Sequence, residues 1–231
     1  MVKIFDATET FNNIFKLEKT ILYCLLALIG LSVILSCQSA HYPVWESFIK
    51  KKSVQLNDKI VHLRSAQKDT AVQFNDTLIN LKAFYNLKGG DLEEAFYITN
   101  NDVLLSETNM DNVKKSIRQV EEVSSKLFTE WETDINSISD ESIRKKSFEN
   151  FKKTRSDYDS LHKSMKKSED SITRVFLLFR DHITYLKHNL NLQSLKQMDK
   201  EINETEKEVT LLMDELNNSI KQADIYLKTH P

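Results

Sequence analysis

Glycine occurs only 3 times and proline twice in 231 residues. That scarcity excludes the turn-rich β and α/β architectures and leaves too little glycine to build most phosphate cradles. Cysteine is almost as rare, with Cys24 and Cys37 alone, so no disulfide framework and no C-x-x-C motif is present. No H-E-x-x-H pair or nucleophile elbow occurs either, and catalysis is not expected. Basic and acidic residues, 32 against 34, are interspersed to a formal net charge of −2, which provides no global field to recruit nucleic acid. What remains is 29% charged and 40% hydrophobic residues, the profile of an all-α chain of long helices.

An uncharged, strongly apolar run, TILYCLLALIGLSVIL at 20–35, follows Lys16 and Lys19 and spans 16 residues. A bilayer crossing needs roughly 20, so the stretch has the length of a signal-peptide core. ILSC follows at 34–37, with an aliphatic residue three before the cysteine and serine one before it. It resembles a bacterial lipobox, with Leu35 bulkier than usual, and implies a signal peptide over 1–36, cleavage before Cys37 and acylation of the Cys37 sulfur. Residues 1–19 form a long leader, so an uncleaved membrane anchor stands as the alternative. Cleavage would remove Cys24 and leave Cys37 without a disulfide partner. A tether over 37–43 then precedes a bundle over 44–231.

Apolar residues recur at spacing seven. Phe151, Tyr158, Met165, Ile172, Phe179 and Leu186 form one seam, and Leu195, Ile202, Val209, Leu216 and Ala223 another. Phe96, Val103, Met110, Ile117, Trp131 and Ile138 share a third phase, which runs through TNND at 99–102. Leu56, Ile60, Leu63, Phe74, Leu81 and Phe84 mark a fourth, diluted by Thr70 and Thr77. Such repeats predict long helices with one apolar seam each.

Gly89, Gly90 and Asp91 stop the first helix and cap the second, with Glu94 placed for a capping box. SISDES at 137–142 offers Ser139 or Asp140 as the next cap. Between Leu186 and Leu195 the spacing is nine, so the chain must turn within YLKHNLN, near His188 to Asn191. Asn189 is suited to a left-handed helix end and Asn191 to capping the next helix. Helices over about 44–87, 91–138, 141–188 and 192–229 with short connections predict an elongated, antiparallel, up-down-up-down four-helix bundle, coiled-coil-like and about 60 Å long. Its two sharpest turns, GGD and HNLN, would share the end far from Cys37.

CQSAHY, GGDLEEAF, LFTEWE and YLKHNLN resemble, in order and approximate spacing, a family of uncharacterised Gram-negative bacterial lipoproteins classed as a domain of unknown function. The resemblance spans Cys37 to the C-terminus and implies a helical periplasmic lipoprotein with no assigned activity. After Phe48, where the family pattern leads one to expect glycine and a basic–acidic pair, this chain has Ile49, three lysines at 50–52, Ser53 and Val54.

Remaining polar residues favour structural roles. Asp159-x-x-His162 has half of a di-iron ligand pattern but no second copy, and no metal or other cofactor is expected. His182 falls on the seam, as do Ser106, Ser124, Ser168, Thr205 and Ser219, which are placed to set register. Trp131 reads as core. Leu177 is rotated outward beside a flanking stripe of Phe176, Ile183 and Leu190, a surface patch in which Phe176 is expected to be buried and Leu177 exposed. The expectation for function is a structural or protein-interaction lipoprotein held to the membrane by Cys37, its distal tip formed either by two tight turns packing on each other or, as the sharper reading, by a contact point for an envelope partner. Gln38, not aspartate, after the cysteine points to the periplasmic face of the outer membrane, with an inner-membrane anchor as alternative. A helical-bundle sensor or ligand-binding module and an envelope chaperone or membrane-remodelling factor are the other readings.

Overall fold

The computed structural model describes the backbone of residues 42–231 and the side chains from Lys51 onward. The leader 1–36, Cys37, the leading residues of the tether and the side chain of Lys50 lie outside the described residues. Five helices follow: α1 Tyr42–Tyr85, α2 Leu92–Ser137, α3 Glu141–His188, α4 Leu192–Leu195 and α5 Asp199–Thr229. No strand occurs among the described residues. Helix α1 takes up the last two residues of the expected tether, and Pro43 is tolerated in its first turn because the missing N–H would have no intrahelical acceptor there.

The caps are local and specific. Asp91 Oδ1 accepts from the backbone N–H of Glu93 and Glu94, both at 3.0 Å, and starts α2. Asp140 Oδ1 accepts from Ile143 N at 2.9 Å and starts α3. Gly90 has φ +100, a conformation that side chains with a Cβ rarely adopt. Asn189 departs from the expected left-handed end, with φ −133. Its side-chain amide donates to Tyr185 O at 2.9 Å, and its backbone N–H to Leu186 O at 3.1 Å. Carbonyls that a left-handed residue would satisfy through backbone alone are therefore already met.

The helix expected as continuous over 192–229 is divided. Asn191 Oδ1 accepts from Ser194 N at 2.9 Å and opens α4. The Ser194 carbonyl then accepts from Gln197 N at 3.2 Å and Tyr185 Oη at 3.4 Å, while Met198 N turns to Leu195 O at 3.2 Å. These tight turns end α4 after one turn, and α5 restarts at Asp199. Leu195 and Ile202 are nevertheless both buried.

Within the unit Lys51–Pro231, contacts at matched levels give the topology. Thr77 meets Ser106 and Lys59 meets Gln119, so α2 runs back along α1. Ser124 meets Tyr158, and Glu121 meets His162, so α3 runs back along α2. Arg174 reaches Glu208 and His182 reaches Thr205, while Arg64 reaches Asp224 and Lys82 reaches Glu206, which places α5 antiparallel to both α3 and α1. Phe74 and Phe179, with centroids 5.5 Å apart, and Gln67 with Ser168 join α1 and α3 across the core in parallel. The result is an up-down-up-down bundle.

The seams bury as the repeat predicts over most of their length, with Ile117, Leu161, Met165, Ile172, Phe179 and Leu216 fully enclosed. Toward the end of α2 the pattern shifts. Trp131 and Ile138, expected on the seam, are only half-buried, and Phe128 and Ile135 take their place. Helix α5 stops at Thr229, where His230 Nε2 meets Asp157 Oδ2 at 3.0 Å. There the buried side of α2 faces α3, with Phe128 against Phe151 and Tyr158.

Two residues separated by one position test the helix phase. Phe179→Ala is expected to cost about 3–5 kcal/mol in urea unfolding, whereas Leu177→Ala, at an exposed position, is expected to stay within about 0.5 kcal/mol.

Candidate functional site

The richest polar cluster lies where α1, α3 and α5 come together near the first and third turns. Tyr85, the last residue of α1, places Oη 2.9 Å from His182 Nδ1, and His182 Nε2 lies 2.9 Å from Thr205 Oγ1. Thr205 Oγ1 in turn donates to Glu201 O at 2.9 Å. Because the threonine proton is committed to that carbonyl, Thr205 accepts from His182 Nε2–H, and Nδ1 accepts from the Tyr85 hydroxyl. The directions follow one chain, phenol to imidazole to hydroxyl to backbone. Burial lowers the His182 pKa from 6.5 to about 4, against the smaller pull of Glu201 and Asp181 in the other direction. Burial also holds the Tyr85 phenol above its usual range. Both groups are therefore neutral at pH 7 and joined by neutral hydrogen bonds.

A hollow of about 240 Å³ opens over this chain, lined in part by Asp181, Met198, Glu201 and Glu204. Helix α1 ends at Tyr85 and α3 at His188, and since the two run in parallel, Gly89, Gly90 and Asp91 leave the bundle from the same end as His188, Asn189 and Asn191. His188 and Asn191 are exposed and Asn189 is half-buried. The hydrogen-bonded chain thus sits beneath the turns that the sequence singles out. His182 is visible in the sequence as a seam histidine, but its partners Tyr85 and Thr205 carry no local signal that links them.

Other singled-out residues are elsewhere. Phe176 and Ile183 are buried, Leu190 is half-buried and Leu177 is 39% exposed, so Leu177 is the exposed member of that patch. Asp159 pairs with Arg155 at 3.1 Å on its own helix, while His162 Nε2 reaches across to Glu121 Oε1 at 2.8 Å. Asp159 and His162 therefore have separate partners. Among the described residues no group of three or more His, Cys, Asp or Glu is placed to hold a metal ion. Each seam serine or threonine has a partner: Ser106 with Thr77, Ser124 with Tyr158, Ser168 and Ser219 with Gln67, and Thr205 with His182.

These contacts define a class, an antiparallel helical bundle in which most seam hydroxyls join its own helices, while Asn57 Oδ1 and Gln67 Oε1 are buried without a partner among the described residues. The chain belongs to the family described as Protein of unknown function (DUF2959), whose model matches residues 41–230. No curated protein and no solved structure matches it.

The His182 chain gives the bundle a pH dependence with a definite sign. An unfolded chain takes up a proton as the pH falls through 6.5, whereas the folded bundle resists it until about pH 4. The contribution of neutral His182 is complete above 6.5 and is lost as the pH falls toward 4, to a total of about 3 kcal/mol. Urea unfolding across this range is expected to show that slope in the parent chain and its loss in His182→Gln.

Proposed function

We propose that the protein is a membrane-anchored structural or protein-interaction lipoprotein of the cell envelope, acylated at Cys37 and working through its surfaces. The observation that carries the reading is the polarity of the bundle. The chain enters it at Lys51, and α1 then rises about 50 Å at 1.5 Å per residue before reaching the GGD turn beside the HNLN turn. An anchor at Cys37 would leave these two turns as the tip directed away from the lipid, available to an envelope partner. The outer membrane is the favoured location, from Gln38 after the cysteine. No helix of the described residues is long and apolar enough to cross a membrane, and in this reading attachment is made by the acyl group.

A sensor or ligand-binding role is less well supported, because the seam serines and threonines bond to other helices. A chaperone or membrane-remodelling role would call for a broad exposed apolar cavity. The larger hollows, about 520 Å³ along α3 and about 460 Å³ between α1 and α2, are instead lined largely by polar and charged side chains.

Two measurements test the proposal. Cys37→Ser is expected to abolish precursor processing and membrane retention; unchanged fractionation would rule out the lipoprotein. Photocrosslinking in cells from position 188 is expected to capture a partner that position 114, at mid-helix in α2, does not. Identical profiles from the two positions would remove the tip as a contact point.

A further inference from the structure

The first ten residues of α3, 141–150, include Ile143 and Phe148, yet they are exposed apart from the half-buried Ser147. Phe148 is 44% exposed and Ile143 53%. Their position explains the exposure, since α5 stops level with Asp157. Phe148 is not isolated from the fold: it stacks on Phe151 at 6.4 Å, and Phe151 packs edge-on against Trp131 at 5.6 Å and Phe128 at 6.0 Å. A ladder of rings thus runs from the core to the surface.

The α3 segment that carries this ladder is predominantly basic. Residues 141–155 carry Arg144, Lys145, Lys146, Lys152, Lys153 and Arg155 against Glu141 and Glu149. Among the described residues no carboxylate forms an ion pair with Lys145, Lys146, Lys152 or Lys153, although Lys152 Nζ lies 4.8 Å from the Phe148 ring centroid. Three of these cations occupy the first two turns of α3, where the helix dipole favours anions. Helix stability therefore does not account for them. The α2 segment that follows the distal turns, 92–105, is the reverse, with Glu93, Glu94 and Asp102 and no lysine or arginine. The basic excess is thus a property of this α3 segment, while the facing end of α2 carries Glu130, Glu132 and Asp134.

This basic, aromatic surface belongs to the end at which the chain enters the bundle. Lys52 pairs with Glu130 on α2, and the adjacent Trp131 packs on Phe151 of α3. The start of the bundle, the end of α2 and the start of α3 therefore lie together. The chain leading into that end contains the uncharged run 20–35 and Cys37.

We propose that the N-terminal segment of α3, residues 141–155, docks on an anionic lipid surface, with Phe148 and Ile143 entering the headgroup boundary and Lys145, Lys146, Lys152 and Lys153 meeting lipid phosphates. Exposed aromatic and aliphatic side chains flanked by lysine suit such an interface. The proposal rests on the membrane anchorage argued above and adds a second contact between the bundle and the lipid.

The test uses the full chain reconstituted into vesicles of phosphatidylcholine alone or with about one-third phosphatidylglycerol. A benzophenone amino acid replaces Phe148, or, as a control near the opposite end, the 55% exposed Ile98. Lipid adducts in anionic vesicles are expected to be about tenfold more abundant from position 148 than from 98. They should fall to the control level on neutral vesicles and in a Lys145→Glu, Lys146→Glu, Lys152→Glu, Lys153→Glu variant whose flotation with vesicles is unchanged. The corresponding Lys→Gln set serves if the reversed set does not fold. Equal yields from 148 and 98, adducts indifferent to charge, or adducts to a second copy of the chain would each overturn the docking while leaving anchorage intact. Failure of the parent chain to float with either vesicle would overturn both.

Discussion

Everything in this bundle depends on the level at which each helix meets its neighbours, and polar pairs within the seams determine that level. An apolar heptad seam can slide by one repeat at modest cost, because leucine meets isoleucine as readily as valine. Gln67 cannot slide in that way. Its amide donates to Ser168 at 3.0 Å and to Ser219 at 2.8 Å, joining α1, α3 and α5 at one level of the core. Thr77 with Ser106 and Ser124 with Tyr158 do the same for the interfaces that involve α2. Thr77, Ser124 and Ser168 also donate to carbonyls of their own helices, so displacing a helix by a repeat would strand chiefly the Gln67 amide, Ser106 and the Tyr158 hydroxyl, at about 1–3 kcal/mol for each group. The apolar residues supply the drive to associate, and the polar ones select a single alignment.

That division explains what could be read in advance. Helix number, direction and the buried faces follow from periodicity and from short turns, both local properties. Asp91, Asp140 and Asn191 act through side chains that reach only two or three residues along the chain, so their roles are written in the adjacent sequence. The partner of a seam serine lies on another helix, and a single sequence carries no term that links Ser219 to Gln67 or Thr205 to His182.

The misreadings have a common origin in tertiary context. Phe128 and Ile135 are buried in place of Trp131 and Ile138, with Phe128 against Phe151 and Tyr158 of α3, a placement that the repeat does not encode. The interruption after Leu195 has no glycine or proline to announce it. It arises where the Ser194 carbonyl bonds to Gln197 and to the Tyr185 hydroxyl instead of to Met198. Asn189 likewise finds a solution for the end of α3 that propensity alone would rank second. In each instance a carbonyl or ring that looks uncommitted in one dimension is already occupied in three.

The junction of α1 with α5 differs from the others in one respect. Helices α1 and α2, α2 and α3, and α3 and α5 are consecutive long helices joined by short connections, whereas Asn57 donates to the His230 carbonyl across a separation of 173 residues. Closing that contact restrains nearly the whole unit in a single loop, and contacts of high sequence separation form late in folding because the chain entropy must be lost before they stabilise anything. On contact-order grounds the α1–α5 seam is expected to form after the seams between consecutive helices. Ion pairs distributed along it, Arg64 with Asp224 and Lys82 with Glu206, stand in positions to influence the rate of unfolding more than the rate of folding.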